Sequence, residues 1–409
     1  MRQDNLDGAI GGKGVVFVLS GEVLGGAEVN MLDLAADLAR AGAWVSVCAL
    51  DDRPGRGRGI AADRGIEWRC VPVPWKGSHA AKLLSLARFA LQVRRLTPDV
   101  VVAATNLPNV VGGLTWRATG ASLFVWNQCD VQPSSRFRPS LFRRALHASP
   151  LVVTTAYHAR EWLVEQFGAD PRRIRVVRSK VELAPPREDA RAWRSRLGIA
   201  RDDFVACMVA HLHAGKDHDT LLRAWRVVVD ETGSGGPRPV LLLAGRDAGH
   251  ADVSKALAFD LDLGEQVRFL GEVEDVSGLL AASDVAVFSS KSECLGRGAT
   301  EPMAAGLPVV GTDVPGIREA LGAPGTDQLV PPGDATALAG AILGLMRDPS
   351  LRSRLGRANA ELVRERQSHD ATTLVYARLL AGSLAGRDAV AAPLAAAGTG
   401  TGLDAHSSR

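Results

Sequence analysis

The sequence lacks the apolar segments that membrane-spanning and secreted proteins need. In its 409 residues no stretch reaches the roughly 18 consecutive apolar residues of a transmembrane helix. Residues 1–14 are polar and glycine-rich, without the hydrophobic core of a signal peptide. We therefore expect a cytoplasmic protein, with at most peripheral contact with the inner face of a membrane.

Cysteine is scarce, and its spacing indicates neither disulfides nor a metal site. The cysteines are Cys48, Cys70, Cys129, Cys207 and Cys294. Most lie in apolar surroundings, which favours a reducing compartment and no structural metal. One Asp-x-Asp sequence, Asp260-Leu261-Asp262, falls late in a predicted helix, so we do not expect it to bind a metal.

Two common nucleotide-binding motifs are also missing. The first predicted β–α turn, residues 21–28, has two adjacent glycines but not the Gly-x-Gly-x-x-Gly order of a dinucleotide site. Gly215-Lys216 is not a P-loop, because neither Ser nor Thr follows the lysine. Internal repeats of solenoid length are absent as well. These gaps argue against NAD as a ligand and against a repeat protein.

What is present fits a globular protein with two domains. The composition is 46% hydrophobic and 23% charged, and 409 residues exceed what one core usually holds. Residues 1–184 carry 24 Lys+Arg against 16 Asp+Glu, whereas residues 185–409 carry 24 against 29. The basic first half fits an anionic acceptor or an anionic membrane surface, although an Arg-rich composition explains it equally well.

Short apolar runs alternate with helical patterns, which predicts an α/β fold with parallel sheets. The predicted strands are residues 15–20, 44–50, 99–103, 123–126, 151–155, 174–177, 204–209, 240–244, 267–271, 284–288 and 309–311. The main predicted helices are residues 30–41, 79–96, 157–167, 254–263 and 368–380. Residues 53–64 are expected to form a basic loop. Residues 136–147 form a basic, partly amphipathic helix that packs on the surface or touches a membrane.

The most informative segment, residues 292–308, lies between two predicted strands. A glycine-containing turn leads there into a short predicted helix, residues 299–305. Pro302 requires its first turn to begin near Gly298, because the proline ring clashes with the carbonyl four residues earlier. A helix that begins just after a strand offers free N–H groups to an anion.

Three backbone N–H groups, those of Arg297, Gly298 and Ala299, are expected to be free at this helix N-terminus. Two carboxylates, Glu293 and Glu301, flank it. Anion donors beside carboxylates suit a ligand with both phosphate and hydroxyl groups, such as a nucleotide sugar. By spacing alone, an ordinary strand–loop–helix unit with surface glutamates is equally consistent.

The same segment resembles a known family motif. Glu293, seven residues, Glu301 and then Met-Ala-Ala-Gly-Leu-Pro-Val-Val resemble the E-x7-E motif of the GT4 family, retaining glycosyltransferases with the GT-B fold. The sequence Gly25-Gly26-Ala27-Glu28 is similar to the glycine loop with which these enzymes open. The resemblance covers about residues 12–382.

This resemblance implies two doubly wound, Rossmann-like domains that face each other across a cleft. The acceptor-binding domain would comprise residues 1–184, and the nucleotide-sugar-binding domain residues 185–367. A final helix, residues 368–382, would cross back to the first domain. The Ala/Gly-rich remainder, residues 383–409, is expected to be a disordered tail.

The family motifs also assign residues to the donor. By resemblance the donor-binding residues are Gly25, Gly26, His211, Lys216, Leu270, Glu293, Leu295, Gly296, Arg297, Gly298 and Glu301. In this assignment Lys216 neutralises the leaving diphosphate, Glu293 holds hydroxyls of the donor sugar, and Glu301 holds the ribose hydroxyls. The catalytic candidates are Glu293, Lys216 and Asp130.

The sequence departs from the family pattern at several positions. His211 stands where the family commonly has an arginine, and a neutral imidazole is a poorer counter-charge for phosphate. Asp130 follows a predicted strand where family members often carry His or Asp near the reacting sugar, but it could equally cap a turn. The matching histidine is not evident, which leaves the acceptor side open.

The expected reaction moves a sugar from a nucleotide diphosphate sugar, best matched by a UDP-sugar, to a hydroxyl group. The acceptor would be a small molecule, a glycan or a lipid-linked compound, and no metal or other cofactor is expected. Retention at the anomeric carbon would use the leaving phosphate as base. Two alternatives remain: a nucleotide-sugar epimerase of the same fold, and a nucleotide-sugar-binding protein without transfer activity.

Overall fold

The protein folds into two parallel β-sheets, each covered by helices. The computed structural model describes residues 10–21, 25–75, 78–131, 138–233 and 236–386. Part of the first glycine turn, residues 22–24, and the tail from residue 387 lie outside this range, as does the start of the predicted helix at 136–147. The α/β class predicted from the alternating pattern is confirmed.

The first sheet contains seven parallel strands in the order β3-β2-β1-β4-β5-β6-β7. Its strands are β1 (Gly14–Leu19), β2 (Trp44–Ala49), β3 (Glu67–Cys70), β4 (Val100–Ala104), β5 (Leu123–Gln128), β6 (Leu151–Thr154) and β7 (Ile174–Val176). The central strand β4 is buried on both faces, which explains why the middle of the sheet reads as unbroken apolar runs.

The second sheet contains six parallel strands in the order β10-β9-β8-β11-β12-β13. Its strands are β8 (Phe204–Val209), β9 (Pro239–Ala244), β10 (Val267–Gly271), β11 (Val285–Phe288), β12 (Val309–Thr312) and β13 (Leu329–Val330). In both sheets the order reverses after the strand that comes first in the chain. Ligands bind outside the carboxyl ends of strands at such a reversal.

Helices cover both faces of each sheet. In the first half they are α1 (Gly26–Arg40), α2 (Gly57–Asp63), α3 (His79–Arg94), α4 (Asn106–Thr119), α5 (Pro139–His147) and α6 (Tyr157–Phe167). In the second half they are α7 (Ala190–Arg196), α8 (His218–Thr232), α9 (Ala251–Asp260), α10 (Val276–Ala281), α11 (Arg297–Ala304), α12 (Pro315–Leu321), α13 (Ala335–Arg347) and α14 (Pro349–Gln367). The last described helix is α15 (His369–Leu384).

Helix α15 packs on the first sheet although it follows the second in the chain. Tyr376, Ala377 and Leu380 are buried in the same cluster as β1 and α1. Buried Asp37 of α1 accepts a hydrogen bond of 2.7 Å from Thr373 Oγ1 and lies 2.8 Å from Lys180 Nζ. The chain therefore crosses between the two sheets twice, once near Lys180 and once before α15.

Several helix predictions need correction. Residues 57–63 form α2 rather than a loop. The helix buries one of its own residues, Ala61, completely in the core of the first domain. Helix α4 was not predicted, since two adjacent glycines and a proline interrupt its pattern. Gly112 and Gly113 leave room for Phe124 and for the Ala145 carbonyl, so α4 packs closely on β5 and α5.

The C-terminal helix also extends further than predicted: it ends at Leu384, past the expected end at residues 380–382 and inside the expected tail. Helix α9 begins at Ala251, three residues earlier than predicted. Neither difference changes the topology.

The described part of residues 136–147 favours the surface-helix alternative over a membrane contact. Helix α5 turns its apolar side inward: Phe142 and Ala145 are fully buried against the first sheet. Its exposed side carries arginines and no large apolar group. Among the described residues, none of the helices has the length and apolarity needed to cross a bilayer.

Candidate active site

Helix α11 begins at the carboxyl edge of the second sheet, where the sequence predicts the anion site. Gly296 adopts a left-handed conformation, with φ of 70°, and the helix starts at Arg297, slightly earlier than expected. Gly298 is needed for close packing: a Cβ there would lie 2.6 Å from the Phe288 ring and 2.9 Å from Val209 O. This contact seats the helix N-terminus above the ends of β8 and β11.

One of the three N–H groups expected to be free is already used. The Ala299 N–H donates to Gly296 O at 3.0 Å, because the first turn closes tightly on its left-handed cap. Within the described residues the N–H groups of Arg297 and Gly298 have no partner, so the site offers two backbone donors rather than three.

Glu293 and Lys216, two of the catalytic candidates, lie in direct contact. The Lys216 ammonium forms an ion pair with Glu293 Oε1, which also accepts a hydrogen bond of 2.8 Å from Ser290 Oγ. The loops that hold them are tied together, since Lys291 N–H donates to Gly215 O at 2.9 Å. A carboxylate and an ammonium are therefore fixed beside the helix N-terminus.

Glu301 is paired with Arg297, and this pair reaches the first domain. Arg297 Nε contacts Glu301 Oε1, and its Nη1 donates to Asn30 Oδ1 of α1 at 2.7 Å. Burial acts to lower the pKa of Arg297, but Glu301 and Asp33 outweigh it and the pKa is raised. Arg297 thus remains charged and links the second predicted glutamate to the facing domain.

The two histidines that follow β8 are poor cations. The pKa of His211 is lowered, first by burial and then by Arg246 and Lys216. The pKa of His213 is lowered by burial and by Lys216, and its Nδ1 accepts a hydrogen bond of 3.1 Å from Gly215 N–H. His211 therefore holds the usual arginine position without its charge.

Carboxylates face this site from the first sheet. Glu28 Oε2 accepts a hydrogen bond of 3.0 Å from Gly25 N–H, which fixes the glycine loop at the start of α1. Asp130 follows β5 and lies 3.4 Å from Asn106 Nδ2. Burial is the main cause that raises the pKa of both carboxyl groups; Asp130 adds to it for Glu28, and Glu293 adds to it for Asp130. The structure therefore brings Asp130 to the Glu293 side of the cleft.

Other predicted donor residues contribute through the backbone or through packing. Gly26 faces Arg297 across the cleft, where a Cβ would lie 3.6 Å from the arginine Cβ. The Leu295 side chain is buried against Ala156 and Ala159 of the first domain, so only its backbone is available to a ligand. Leu270 lies at the end of β10, two strands from β8.

The sequence reasoning missed a second contact between the domains, centred on Glu319 of α12. Its carboxylate accepts from Tyr157 N–H at 2.8 Å and from Arg178 Nη2 at 3.0 Å, and it lies 3.3 Å from His158 Nδ1. His158 Nε2 lies 3.2 Å from the carbonyl oxygen of Glu293. Burial acts to raise the pKa of Glu319, but these partners lower it. No sequence pattern had indicated that this glutamate would cross the cleft.

A resident metal ion finds no ligand set in the described parts of the chain. No group of three or more His, Cys, Asp or Glu side chains there could hold one. The five cysteines are all free.

Comparison with known proteins identifies both halves of the chain. Residues 24–184 match the model of Glycosyltransferase Family 4, and residues 189–362 match that of Glycosyl transferases group 1. The two matches meet at the connection between the sheets and together include every candidate site residue.

Curated relatives are inositol phosphate glycosyltransferases. D-inositol 3-phosphate glycosyltransferase of Streptomyces scabiei is 33% identical over 221 residues, which are 52% of this chain and 49% of that protein. The enzyme of the same name from Corynebacterium aurimucosum is 27% identical over 361 residues, 82% of this chain and 86% of that protein. The chain spans about half the length of the first curated relatives that it matches.

Solved structures share the fold at low identity. Anabaena Alr3699/HepE, solved in complex with UDP and glucose, superposes with a TM-score of 0.77 at 21% identity, over 91% of this chain and all of that one. Sucrose-phosphate synthase of Thermosynechococcus elongatus gives 0.74 at 20% identity, with the same coverage. These likenesses confirm the GT-B fold, and with the two family matches they show that the chain belongs to the group 1 glycosyltransferases of family 4.

Proposed function

We propose that the protein transfers a sugar from a nucleotide diphosphate sugar to a hydroxyl group, with retention at the anomeric carbon. One observation carries this proposal: Glu293 with Lys216, and Glu301 with Arg297, converge on the N-terminus of α11 and face the carboxylates of the first domain. Such an edge offers cations and N–H groups to a diphosphate, and carboxylates to hydroxyls, within one cleft.

Each part of a nucleotide-sugar donor has a matching group in the cleft. Glu301 would hold the ribose diol, because a carboxylate can accept one hydrogen bond from each of the two hydroxyls. Glu293, beside Lys216, would hold donor-sugar hydroxyls and stabilise the positive charge that develops on the ring. Lys216 and the N–H groups of Arg297 and Gly298 would stabilise the departing diphosphate, which is where negative charge grows.

The acceptor would approach from the first domain, past the Gly25–Gly26 loop and Asp130. With a phosphate oxygen of the leaving group as base, the acceptor proton passes to the nucleotide, and the new bond forms on the face that the nucleotide leaves. A glycosidase-like pair of carboxylates is not needed. Asp130 would orient the acceptor hydroxyl, so it acts by position and need not take the proton.

Two comparisons narrow the donor and the acceptor. The HepE structures hold UDP with glucose and UDP-glucose, which favours a UDP-sugar. The curated relatives act, by name, on D-inositol 3-phosphate, so a phosphorylated polyol is the first acceptor to test. No metal or other cofactor is part of the proposal, because Lys216 and the helix N-terminus already face the diphosphate.

Thermal shift with nucleotides is the first experiment. UDP or GDP should stabilise the protein and NAD should not; at a hundred times Kd the gain is about 2.7 kcal/mol. Stabilisation by NAD alone would contradict the nucleotide-sugar assignment. Release of UDP from UDP-glucose, measured with and without D-inositol 3-phosphate, then tests transfer. Acceptor-dependent release separates transfer from epimerisation and from simple binding.

We further propose that any membrane contact runs through α3. Leu83, Leu84 and Leu91 are exposed there by 68%, 73% and 61%, and exposed Arg88 lies on the same side of the helix as Leu84 and Leu91. Large exposed apolar side chains beside arginines suit the interface of an anionic bilayer. The expected occupant is therefore an anionic lipid surface.

Vesicle co-sedimentation tests this surface. Leu84→Glu with Leu91→Glu should abolish binding to phosphatidylglycerol vesicles, while activity on a water-soluble acceptor is unchanged. Phe259→Glu on α9, also strongly exposed at 85%, is the control. If the wild-type protein does not bind the vesicles, or if the double variant binds them as well as Phe259→Glu does, α3 is not a membrane-binding surface.

A further inference from the structure

The cations that the sequence predicts for the diphosphate are already balanced by carboxylates. Lys216 pairs with Glu293, and Arg297 pairs with Glu301 and lies 3.5 Å from Asp33 Oδ2. Neutral His211 adds no charge at pH 7. A diphosphate would therefore meet little net positive charge, although its binding requires some.

Arg246, in the loop that follows β9, lies next to this site. Its carbonyl accepts a hydrogen bond of 2.9 Å from Leu212 N–H, and the Ala248 N–H donates to Leu212 O at 3.0 Å, so the loops after β8 and β9 run side by side. Successive side chains alternate along extended backbone. Because Leu212 is buried, the residues that precede the paired positions, His211 and Arg246, project together toward the cleft.

The charge of Arg246 is available to a ligand. Its side chain is half-buried, and it has no hydrogen bond or ion pair within the part of the chain that the structure describes. After burial, Arg246 is the largest cause of the lowered pKa of His211, which agrees with a guanidinium close to that ring. Glu272, the carboxylate that acts on His211 in the opposite direction, is paired with Arg56 at 3.0 Å.

We propose that Arg246 is the guanidinium that binds the donor diphosphate in this protein, in the role that the family resemblance gives to the residue at position 211. The inference rests on the proposed function. Arg246 is suited to it because a guanidinium stays charged at any physiological pH and can donate two parallel hydrogen bonds to a phosphate. In this chain histidine stands after β8, and arginine stands after the neighbouring strand β9.

Calorimetry with UDP, UMP and uridine tests the assignment. Arg246→Gln should weaken UDP binding about 10- to 100-fold, the range of one hydrogen-bonded charge, weaken UMP less, and leave uridine unchanged. Arg223→Gln, an exposed arginine on α8, is the matched control and should bind all three like the wild type. Arg246→Lys keeps the positive charge but cannot donate two parallel hydrogen bonds. Its UDP affinity should lie between those of the wild type and Arg246→Gln.

A rescue experiment separates charge from structure. Adding His211→Arg to the Arg246→Gln protein should restore most of the UDP affinity, because a guanidinium returns to the same site. Unchanged UDP binding in Arg246→Gln, equal loss for UDP and uridine, or no rescue would each overturn the proposal. If the wild-type protein binds no nucleotide at all, the proposed function fails instead, so the two failures are distinguishable.

Discussion

The carboxyl edges of the two sheets share a winding order but differ in how their charges are satisfied. Both sheets are entirely parallel and reverse direction at the same relative position. At the second edge each glutamate of the E-x7-E motif has a cationic partner. Among the described residues, Glu28 and Asp130 at the first edge accept hydrogen bonds from neutral N–H groups alone, and burial raises the pKa of both.

Under the proposed function, this difference would correspond to the two substrates of a transfer reaction. A diphosphate is charged and strongly hydrated, so an edge that binds it needs cations and N–H groups held in place. A hydroxyl is neutral, and the edge that binds it needs acceptors without cations that would compete for them. This arrangement lowers the stability of the fold, because carboxylates that are partly buried near one another are unfavourable when ionised.

Glu293→Gln should give the largest effect and would break the charge pairing at the second edge. The variant keeps the shape but loses the negative charge beside the developing positive charge of the sugar, so kcat should fall about 100-fold, or about 2.7 kcal/mol. UDP alone should bind no more weakly than it does to the wild type, since Lys216 is then no longer neutralised by Glu293 and can pair with the diphosphate. Steady-state kinetics beside calorimetry measures both, with Ser290→Ala as the control. Weakened UDP binding would contradict the role given to Glu293.

Glu301→Gln should have a smaller and different effect. Glu301 is assigned to the ribose, which does not react, so donor KM should rise about tenfold while kcat changes little. Because Glu301 also holds Arg297, Asp33→Asn serves as the control that loosens the arginine without touching the ribose. A drop in kcat with unchanged KM would place Glu301 at the reacting sugar instead.

Asp130→Asn would sharpen the contrast from the acceptor side. The raised pKa means that the folded protein holds this proton more tightly than the unfolded chain does, so stability falls as pH rises through that interval. The free energy of unfolding of the variant should therefore exceed that of the wild type by about 0.5–2 kcal/mol at about pH 8, and should equal it at acidic pH. Turnover of the acceptor should drop. Melting curves at both pH values measure this. If Asp130→Asn is less stable than the wild type at pH 8, the ionised Asp130 carboxylate is stabilised by its surroundings in the folded protein.

Chelation should have no effect at all. The diphosphate is expected to meet Lys216, Arg246 and a helix N-terminus, which supply the stabilisation that a divalent ion gives elsewhere. Turnover should be equal in EDTA and in Mg²⁺. Loss of turnover in chelator, restored by Mg²⁺ or Mn²⁺, would show that the cationic edge is insufficient by itself.

Most of the fold could be predicted because buried parallel strands form local, unbroken apolar runs. The elements that were missed lack that signal. Strand β3 (Glu-Trp-Arg-Cys) lies at a sheet edge, where alternate residues are exposed. Helix α4 contains a glycine pair that reads as a turn, yet those glycines serve close packing against Phe124 and α5. Tertiary contacts decided both cases.

The sequence could nominate candidate site residues only one loop at a time. Its motifs name Glu293, Glu301 and Lys216, because each motif is local to one loop or strand end. Their partners were not predictable: Lys216 is 77 residues from Glu293 along the chain, and Arg297 is 267 residues from Asn30. The same limit hid Glu319 and Arg246, whose positions depend on which strands lie side by side and on how the domains meet.

The double crossing of the chain limits how the cleft can open. Two backbone connections, near Lys180 and before α15, tie the sheets together, and Asp37 anchors both through Lys180 and Thr373. A body held at two neighbouring points can rotate about the line through them but can hardly twist or slide. We therefore expect the cleft to open mainly by rotation about this line, and to bring the helix α11 glutamates back to the same position opposite Asp130 when it closes.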